Sequence, residues 1–267
     1  MSESVASGRD TAEHLSHDRN MRVAVLSDIH ANLVALETVL AEPDVRSADR
    51  IVLLGDIAVG PVPVESLDLL ASLGDRAVWV HGNCERELLA AYDGTGLESP
   101  NAGMAIATAA LLQPRHRELI DGLPLTVTLD VDGLGPVLFC HATPRRDDDF
   151  VLVDSPVPVW RRALEGVEEA TVVMGHTHMP FDRLVDRRRV VNAGSVGMSY
   201  GTDGAAWALL GPTVQLRTTP FDTDAAAAAV RGSGYSDADE WVQQYLVEPP
   251  SDTDALEVFS TLVDPLD

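Results

Sequence analysis

The chain has 267 residues, enough for one large α/β domain with a sizeable core. Its 42 acidic residues outnumber its 19 basic residues and give a formal net charge of −23. A surface this acidic repels nucleic acid backbones, which argues against non-specific binding to DNA or RNA. Since no stretch approaches the roughly 18 apolar residues of a membrane span, no membrane association is expected either.

Residues 1–20 contain no apolar run of the kind found in secretory signals, and they predict a short disordered tail. The two cysteines, Cys84 and Cys140, are too few for a disulfide framework. We therefore expect a cytoplasmic protein. Assembly into a homo-oligomer is left open by the sequence.

Short β runs alternate with helical patterns over the first half of the chain, which is typical of an α/β fold. Strands are predicted at 21–27, 50–55 and 77–82. Helices are predicted at 32–40, 63–73 and 85–92, with two more near 101–112 and 114–121.

The second half is richer in strands. An antiparallel pair is predicted within 125–142, and further strands at 171–175, 188–194, 205–210 and 213–219. We expect one domain over 21–219, in which two sheets pack together with helices outside. Residues 220–267 are rich in Ala and acids, and predict a helical extension on the same domain, with a helix near 237–247, a linker at 248–254 and a last short helix.

Metal-binding residue types follow five of the predicted strands: Asp28, His30, Asp56, Asn83, His141, His176 and His178. Ligands of α/β proteins bind at the carboxyl ends of strands, so these distant residues can meet at one place. Imidazole nitrogens and carboxylate or amide oxygens suit Mn, Fe, Co or Zn. We expect Gly55, Gly82 and Gly175, which precede these residues closely, to permit tight turns.

Each of these residues alone has an ordinary explanation. Asp28 or Asp56 could cap a helix, and Asn83 could be a turn residue. A single histidine is usually a polar or packed residue, whereas His176 and His178 stand two apart in GHTH and can reach one centre together. The occurrence of all the pieces in order favours a site for two metal ions.

The ordered motifs SDIHANL, LLGDIAVGP, HGNCE, FCHATP and MGHTHMP, followed by NAGSVG, resemble those of the calcineurin-like metallophosphoesterase superfamily. The resemblance covers roughly residues 21–210 and is strongest to small bacterial phosphodiesterases that carry G-N-C. It implies a four-layer α/β/β/α sandwich of two mixed sheets flanked by helices. That fold agrees with the predicted order of strands and helices.

The resemblance also implies two sets of metal ligands that share Asp56. One metal would be held by Asp28, His30, Asp56 and His178, and the other by Asp56, Asn83, His141 and His176. Mn, Fe, Zn, Co or Ni would fit such donors, and manganese is favoured. The implied reaction is hydrolysis of a small-molecule phosphate ester by in-line attack of a metal-bound hydroxide, with Asp56, Asn83 and His141 activating water and binding phosphate.

Cys84 departs from the superfamily pattern, because it stands where a histidine usually helps to protonate the leaving group. A thiol has an unperturbed pKa of about 8.5 and donates hydrogen bonds poorly. Cys84 is either a packing residue or neutral wall of the site, or a catalytic group. The departure predicts a preference for leaving groups that need little acid help, such as those of aryl diesters or nucleoside polyphosphates.

Arg145 lies after the His141 motif and is a candidate phosphate ligand. The alternative is that it belongs to a solvated basic turn. His116 is predicted to lie on a helix surface. The main alternative function is a non-catalytic binding or scaffold protein on the same fold. The H-x-H-x-D-H cluster, the P-loop and the G-x-S-x-G motif of other hydrolases are absent from the sequence.

Overall fold

The computed structural model of the protein describes residues 21–263, so the tail predicted for 1–20 lies outside the described residues. The strands of this part are β1 Val23–Leu26, β2 Arg50–Leu53, β3 Ala77–Trp79, β4 Thr126–Val131, β5 Gly135–Cys140, β6 Thr171–Met174, β7 Phe181–Val185, β8 Arg188–Asn192, β9 Ala205–Leu210 and β10 Val214–Thr219. The α-helices are α1 Leu33–Ala41, α2 Pro43–Ser47, α3 Pro63–Ala71, α4 Asn83–Asp93, α5 Ala102–Ala109, α6 Pro114–Ile120, α7 Val157–Ala163, α8 Thr223–Gly232, α9 Ala238–Val242 and α10 Asp252–Ser260.

The first sheet has the strand order β10-β9-β1-β2-β3. Its strands β1, β2 and β3 are parallel, whereas β9 runs antiparallel to β1 and β10 antiparallel to β9. Leu53 of β2 pairs with Leu26 of β1 on one side and with Trp79 of β3 on the other. The carboxyl ends of the three parallel strands are therefore level with one another.

The second sheet has the order β4-β5-β6-β8-β7. Its central strands β5, β6 and β8 are parallel, and the outer strands β4 and β7 are antiparallel to their neighbours. Phe139 of β5 pairs with Val173 of β6, which in turn pairs with Val191 of β8. The carboxyl ends of these strands likewise form one edge.

The two sheets pack face to face through an apolar layer to which both contribute, including Val25 and Val52 from the first sheet and Phe139 and Val173 from the second. The other face of the first sheet packs against helices, through side chains such as Leu36, Leu67 and Leu88. The other face of the second sheet packs against α7, whose Trp160 is fully buried there. Alternating side chains thus bury both faces of each sheet, and the predicted four-layer sandwich is confirmed.

Local sequence explains where several helices begin. The side chain of Asn32 accepts a hydrogen bond from the backbone N–H of Ala35 and caps α1. Pro63 opens α3 at a position where a missing N–H costs nothing. Ser251 and Asp254 form a reciprocal capping box at the start of α10.

Some elements were not predicted. The strand β7 lies in a charged stretch at the edge of its sheet. The helix α7 begins after Pro156 and has Pro158 in its first turn, in a segment without a clear helical period. In the predicted helix 237–247, only Ala238–Val242 is α-helical, and Gln243–Val247 widens into a π-helical turn. The helix α8 lies in the Ala-rich segment and contacts α1. Among the described residues, no helix is long and apolar enough to cross a membrane.

Candidate metal centre

The seven candidate ligands lie beyond the carboxyl ends of the strands, in loops that hydrogen bonds hold against one another. Asp28 N–H donates to the carbonyl of Gly55 at 3.1 Å, and His30 N–H donates to the carbonyl of Asp56 at 3.0 Å. Gly175 N–H donates to the carbonyl of His141 at 2.8 Å. These bonds join neighbouring loops within each sheet. The N–H of Val196, beyond β8, donates to the carbonyl of Ser27, beyond β1, at 3.0 Å and joins the two sheets, so the site spans the top of the sandwich.

Asp28, His30 and His178 form a buried group, which we call the Asp28 triad. Their ligand atoms all lie within 4.8 Å of one another. The Nε2 atom of His178 is 3.2 Å from Asp28 Oδ1 and 3.2 Å from His30 Nε2. This spacing is that of three donors that face a common centre.

Asp56, His141 and His176 form a second buried group, the Asp56 triad, again with all ligand atoms within 4.8 Å. The Nε2 atom of His141 is 3.3 Å from Asp56 Oδ1 and 3.2 Å from His176 Nδ1. The structure thus brings both predicted groups of histidines and aspartates together from separate strands.

Asp56 lies between the two triads. Its Oδ1 faces His141 of its own triad, and its Oδ2 lies 3.9 Å from Nε2 of His30 in the other. Asp28 is connected to the opposite triad as well, because its Oδ2 accepts a hydrogen bond from the backbone N–H of His176 at 3.0 Å. The triads are therefore two halves of a single site.

Three of the histidines are oriented by backbone carbonyls. The Nδ1 atoms of His30, His141 and His178 lie 2.9, 2.6 and 2.8 Å from the carbonyl oxygens of Val59, Leu54 and Met198. A carbonyl can only accept, so each Nδ1 carries the proton of that bond. Each Nε2 is thereby directed at the centre, the arrangement that orients metal-binding histidines in proteins.

Asn83 is the first residue of α4, and it is buried beside the Asp56 triad. Its Nδ2 donates to Oε1 of Glu87 at 3.4 Å, while its Oδ1 has no hydrogen-bond partner. His176 Nε2 is also buried without a hydrogen-bond partner. Such groups are costly unless something else satisfies them, and a cation satisfies oxygen and nitrogen lone pairs together.

Five of the candidate ligands adopt the left-handed backbone region that side chains other than glycine rarely enter. Their φ angles lie between 46° and 67°: Asp28, His30, Asp56, His176 and His178. A non-glycine residue in this region costs about 1 kcal/mol or more and clusters at functional sites. The fold therefore forces these side chains into one place against local preference.

The neighbouring glycines act in two ways. Gly55 has a φ of +86°, as the predicted tight turn requires. Gly82 and Gly175 do not have positive φ angles, and they instead permit close approach. A Cβ on Gly82 would lie 2.2 Å from Asp56 Oδ1, and one on Gly175 would lie 2.6 Å from Asp28 Oδ2. The backbone conformation of these two positions does not require glycine, and the missing side chains leave room for the carboxylates.

Glu85 is a site residue that the sequence did not identify. It is 1% exposed, and its carboxylate accepts hydrogen bonds from the backbone N–H groups of Asp56 at 2.7 Å, Ile57 at 2.8 Å and Gly82 at 2.9 Å. It ties the start of α4 to the loop that carries Asp56. Its place after G-N-C was the available signal, but an acid in the first turn of a helix is ordinarily read as a favourable interaction with the helix dipole.

The charges of the site favour ionised carboxylates. Burial alone would raise the pKa of Asp56, but His141 outweighs burial and holds that pKa well below its usual range. Burial would lower the pKa of His141, yet the Asp56 carboxylate raises it to about 10. Burial lowers the pKa of His176 to about 4 and also lowers that of His30. Ionised aspartates and the neutral imidazoles of His30 and His176 are the protonation states that metal binding uses, and His141 must give up its proton before its Nε2 can act as a ligand.

The donor set fits two divalent cations. The facing Nε2 lone pairs of His30 and His178 would repel at 3.2 Å unless a cation lay between them and Asp28. His141 Nε2 and His176 Nδ1 face each other at 3.2 Å beside Asp56, and a cation between them would take the place of the proton on His141. Nitrogen and carboxylate donors suit Mn, Fe, Co, Ni and Zn alike.

Cys84 lies in the wall next to this site. It is 1% exposed and belongs to the apolar core, and its backbone N–H donates to Asp56 Oδ1 at 2.9 Å. Burial first, and then the carboxylate of Asp56, raise the pKa of its thiol well above the ordinary value. A thiol in this setting stays protonated and packed, while its backbone supports Asp56.

The other two singled-out residues lie elsewhere. Arg145 is 49% exposed in its side chain and donates to Oε2 of Glu165 at 2.8 Å. Together with Phe150 it lines a cavity of about 150 Å³. The prediction that His116 lies on a helix surface was wrong: the residue is 1% exposed. Its Nδ1 accepts from the backbone N–H of Gln113 at 3.2 Å, and its Nε2 lies 3.1 Å from Asp68 Oδ1.

The loop after β8 also supports the site, although the sequence suggested no role for its individual residues. Asn192 Nδ2 donates to the hydroxyl of Thr177 at 3.1 Å and to the carbonyl of Gly175. Ser195 Oγ donates to the carbonyl of Asp28 at 2.7 Å. These bonds hold the loops that carry His176, His178 and Asp28.

Comparison with known proteins gives a family match over most of the chain. Residues 21–212 match the family model described as the calcineurin-like phosphoesterase superfamily domain. A solved structure, a metallophosphoesterase from Sphaerobacter thermophilus, is 26% identical with a TM-score of 0.68, over 85% of this chain and 99% of that one.

Two relatives by sequence extend this result. An uncharacterised protein from Methanocaldococcus jannaschii is 28% identical over 193 residues, which cover 66% of this chain and 76% of that protein. A symmetrical bis(5'-nucleosyl)-tetraphosphatase from Sodalis glossinidius is 34% identical over 131 residues, 48% of this chain. The match spans a little under half of that tetraphosphatase, 45% of its length.

Proposed function

This chain belongs to the calcineurin-like phosphoesterase superfamily, and from that premise we propose that it is a hydrolase that uses two divalent cations to cleave a small phosphodiester or nucleotide-type substrate. The observation that carries the proposal is the convergence of the Asp28 and Asp56 triads on one buried site. Manganese is the cation that we favour. The same donors also suit Fe, Zn, Co and Ni.

Two cations held in this site would lower the pKa of a water molecule, bind phosphate oxygens and neutralise charge on the substrate. The chain's own contribution is to hold the donors in place. Asp56 faces both triads and is proposed to serve both cations, while Asn83 is proposed to supply its unpartnered Oδ1. The buried carbonyl contacts of His30, His141 and His178 keep the rings from turning away.

The proposed substrates are those whose leaving group departs with little acid assistance. Cys84 occupies the position at which a general acid would be expected, and burial keeps its thiol protonated and packed. Nucleoside polyphosphates meet this requirement, because a phosphate group is a good leaving group. The tetraphosphatase relative supports this choice, since its name specifies a dinucleoside polyphosphate.

Arg145 is proposed as a contact for a second, distal phosphate. It lines a cavity together with Arg162 and Phe150, and Phe150 also packs on the metal-site histidine His176 at a ring distance of 4.5 Å. A guanidinium suits bidentate phosphate contact. For such contact Arg145 must exchange its exposed ion pair with Glu165, which is worth little in water.

The test is hydrolysis by protein freed of metal with EDTA and reloaded with Mn²⁺. We expect metal-dependent turnover of bis(p-nitrophenyl) phosphate and diadenosine tetraphosphate, and slower turnover of an alkyl monoester. Elemental analysis should give two cations per chain. Asp56→Asn should lose activity at least 100-fold together with bound metal, whereas Asp68→Asn, in an exposed ion pair on α3, should lose neither.

The rival function is a non-catalytic binding protein on the same fold. It predicts that the reloaded protein turns over none of the three esters, whatever its metal content. Equal or faster hydrolysis of the alkyl monoester would leave the enzyme proposal intact and refute the leaving-group argument. Cys84→Ala should retain turnover within about threefold if the thiol has no catalytic role.

A further inference from the structure

Three aromatic side chains from distant parts of the chain lie together on the metal-site histidines; we call them the aromatic cover. Phe150 packs on His176 with ring centroids 4.5 Å apart, and Tyr200 stacks on His178 at 4.9 Å with an interplanar angle of 20°. Phe259 lies between them, 5.1 Å from Phe150 and 6.1 Å from Tyr200. The aromatic cover therefore touches one histidine of each triad.

Phe259 comes from α10, the last helix of the described chain, and both ends of that helix are fitted to the domain. At its start, Asp252 packs so closely on Gly201 that a Cβ there would lie 2.7 Å from the Asp252 Cβ. After its end, Val263 packs on the apolar cluster that contains Trp160. The helix is thus docked beside Tyr200 rather than lying loose over the site.

The sequence of α10 is unusual for a helix whose purpose is only packing. Of its own residues only Ala255 is buried, while Val258 is 60% exposed. Phe259 is half-buried, and its contacts are with the other two rings of the cover. The helix therefore places one aromatic ring at the mouth of the metal centre and little else.

The surfaces at this mouth are of two chemical kinds. The seven ligands, which are 0–8% exposed, present charged and polar atoms for a phosphate. The half-buried aromatic rings of Phe150, Tyr200 and Phe259 lie directly beside them. A ligand that complements both has a phosphate joined to a flat aromatic group, and a nucleotide has this form. Stacking on aromatic side chains binds nucleobases without demanding a particular base.

We propose that α10 completes the substrate pocket, and that Phe259, with Phe150 and Tyr200, forms a stacking wall for a nucleobase that makes the site selective for nucleotides over other phosphate esters. This inference rests on the proposed function and specifies its substrate class. The base of the substrate stacks on this wall, and the phosphates of the substrate lie toward the metal site.

The test compares ligands that differ only in the base, and it measures binding as well as turnover. By titration calorimetry on the full chain, AMP should bind about ten-fold more tightly than ribose 5-phosphate, and Phe259→Ala should remove that difference. Phe259→Leu keeps an apolar side chain of similar bulk without the ring, and should weaken AMP binding nearly as much. Phe259→Trp should retain it, and Val258→Ala on the same helix should leave it unchanged.

Turnover provides the second readout, because tripolyphosphate has the anhydride bonds of diadenosine tetraphosphate without its bases. Phe259→Ala should raise KM for the dinucleotide about ten-fold and leave tripolyphosphate unaffected. Equal binding of AMP and ribose 5-phosphate by the unaltered protein would overturn the inference. A Phe259→Ala variant that hydrolyses both substrates faster to the same extent would also overturn the inference, since Phe259 would then only obstruct the site.

The two proposals fail in different ways. If AMP binding depends on Phe259 but no ester is hydrolysed by the reloaded protein, the proposed function is wrong and the stacking wall stands. If both polyphosphates are hydrolysed and the Phe259 variants differ from the unaltered protein in neither binding nor KM, the stacking wall is wrong and the proposed function stands.

Discussion

Replacing Glu85 by Ala should destabilise the whole protein and disturb the metal site at the same time. The Glu85 carboxylate is buried and accepts three short hydrogen bonds from the N–H groups of Asp56, Ile57 and Gly82. Alanine would leave all three buried donors without an acceptor. Each such loss costs about 1–3 kcal/mol.

The net loss of stability is smaller than the sum of three lost hydrogen bonds, because the charge of Glu85 is itself unfavourable at this position. Burial, and then the nearby Asp56 carboxylate, raise the pKa of Glu85. We therefore expect Glu85→Ala to lower the free energy of unfolding by about 4 kcal/mol. Glu85→Gln keeps one acceptor oxygen but turns an NH₂ group toward the donors, and should lose about 2 kcal/mol.

Urea unfolding of the metal-free variants, followed by circular dichroism, measures these losses. Glu65→Ala, an exposed glutamate in the first turn of α3, is the control and should change stability by less than about 0.5 kcal/mol. Calorimetric titration with Mn²⁺ should show weaker binding for the folded Glu85→Gln variant, because the Asp56 loop is less well held. A Glu85→Ala variant within about 1 kcal/mol of the unaltered protein would refute the role given to these bonds.

Three further changes test other parts of the structure. Gly175→Ala should abolish binding at the Asp28 triad in Mn²⁺ titrations, since the new Cβ would lie 2.6 Å from Asp28 Oδ2; unchanged stoichiometry would contradict this. Burial alone would raise the pKa of Asp147, but His81 and Arg86 hold that pKa below its ordinary value of 3.8. Ionised Asp147 therefore stabilises the fold above pH 3.8, and this stabilisation is lost on acidification. Asp147→Asn should thus cost about 1 kcal/mol in urea unfolding at pH 7, and this cost should shrink only as the pH falls well below 3.8. Arg187 is exposed and has a φ of +71°. In thermal unfolding, Arg187→Gly should raise the free energy of unfolding by about 1 kcal/mol, whereas Arg187→Ala should not raise it.

The positions of the ligands could be predicted from the sequence because each lies near the end of a recognisable strand. The apolar runs around Val25, Val52 and Val173 mark strands whose ends must share an edge once the strands are parallel. This topology alone determines which edge of each sheet carries the ligands and which loops meet there. Asp28 and Asp56 could therefore be identified as candidate ligands from the sequence.

Residues that act through long-range contacts could not be identified in this way. Nothing in the local sequence of Phe259 indicates that it reaches Phe150 and Tyr200, since these contacts depend on how α10 docks. The burial of His116 likewise depends on a contact with Asp68, 48 residues earlier in the chain. Hydrophobic period predicts which elements form, and it says little about which side chain of one element meets which side chain of another.

The strained backbone at the ligands connects the fold with the proposed chemistry. Asp28, His30 and Asp56 have φ angles near +50°, although local preference would place glycine or asparagine there. The energy that holds them comes from the packed sheets and from loop bonds such as His30 N–H to the Asp56 carbonyl. Because the sandwich fixes the donors before a cation arrives, little ordering remains to oppose its binding. The same rigidity fixes the distance between the two triads, which is the condition that a pair of cations acting on one phosphate requires.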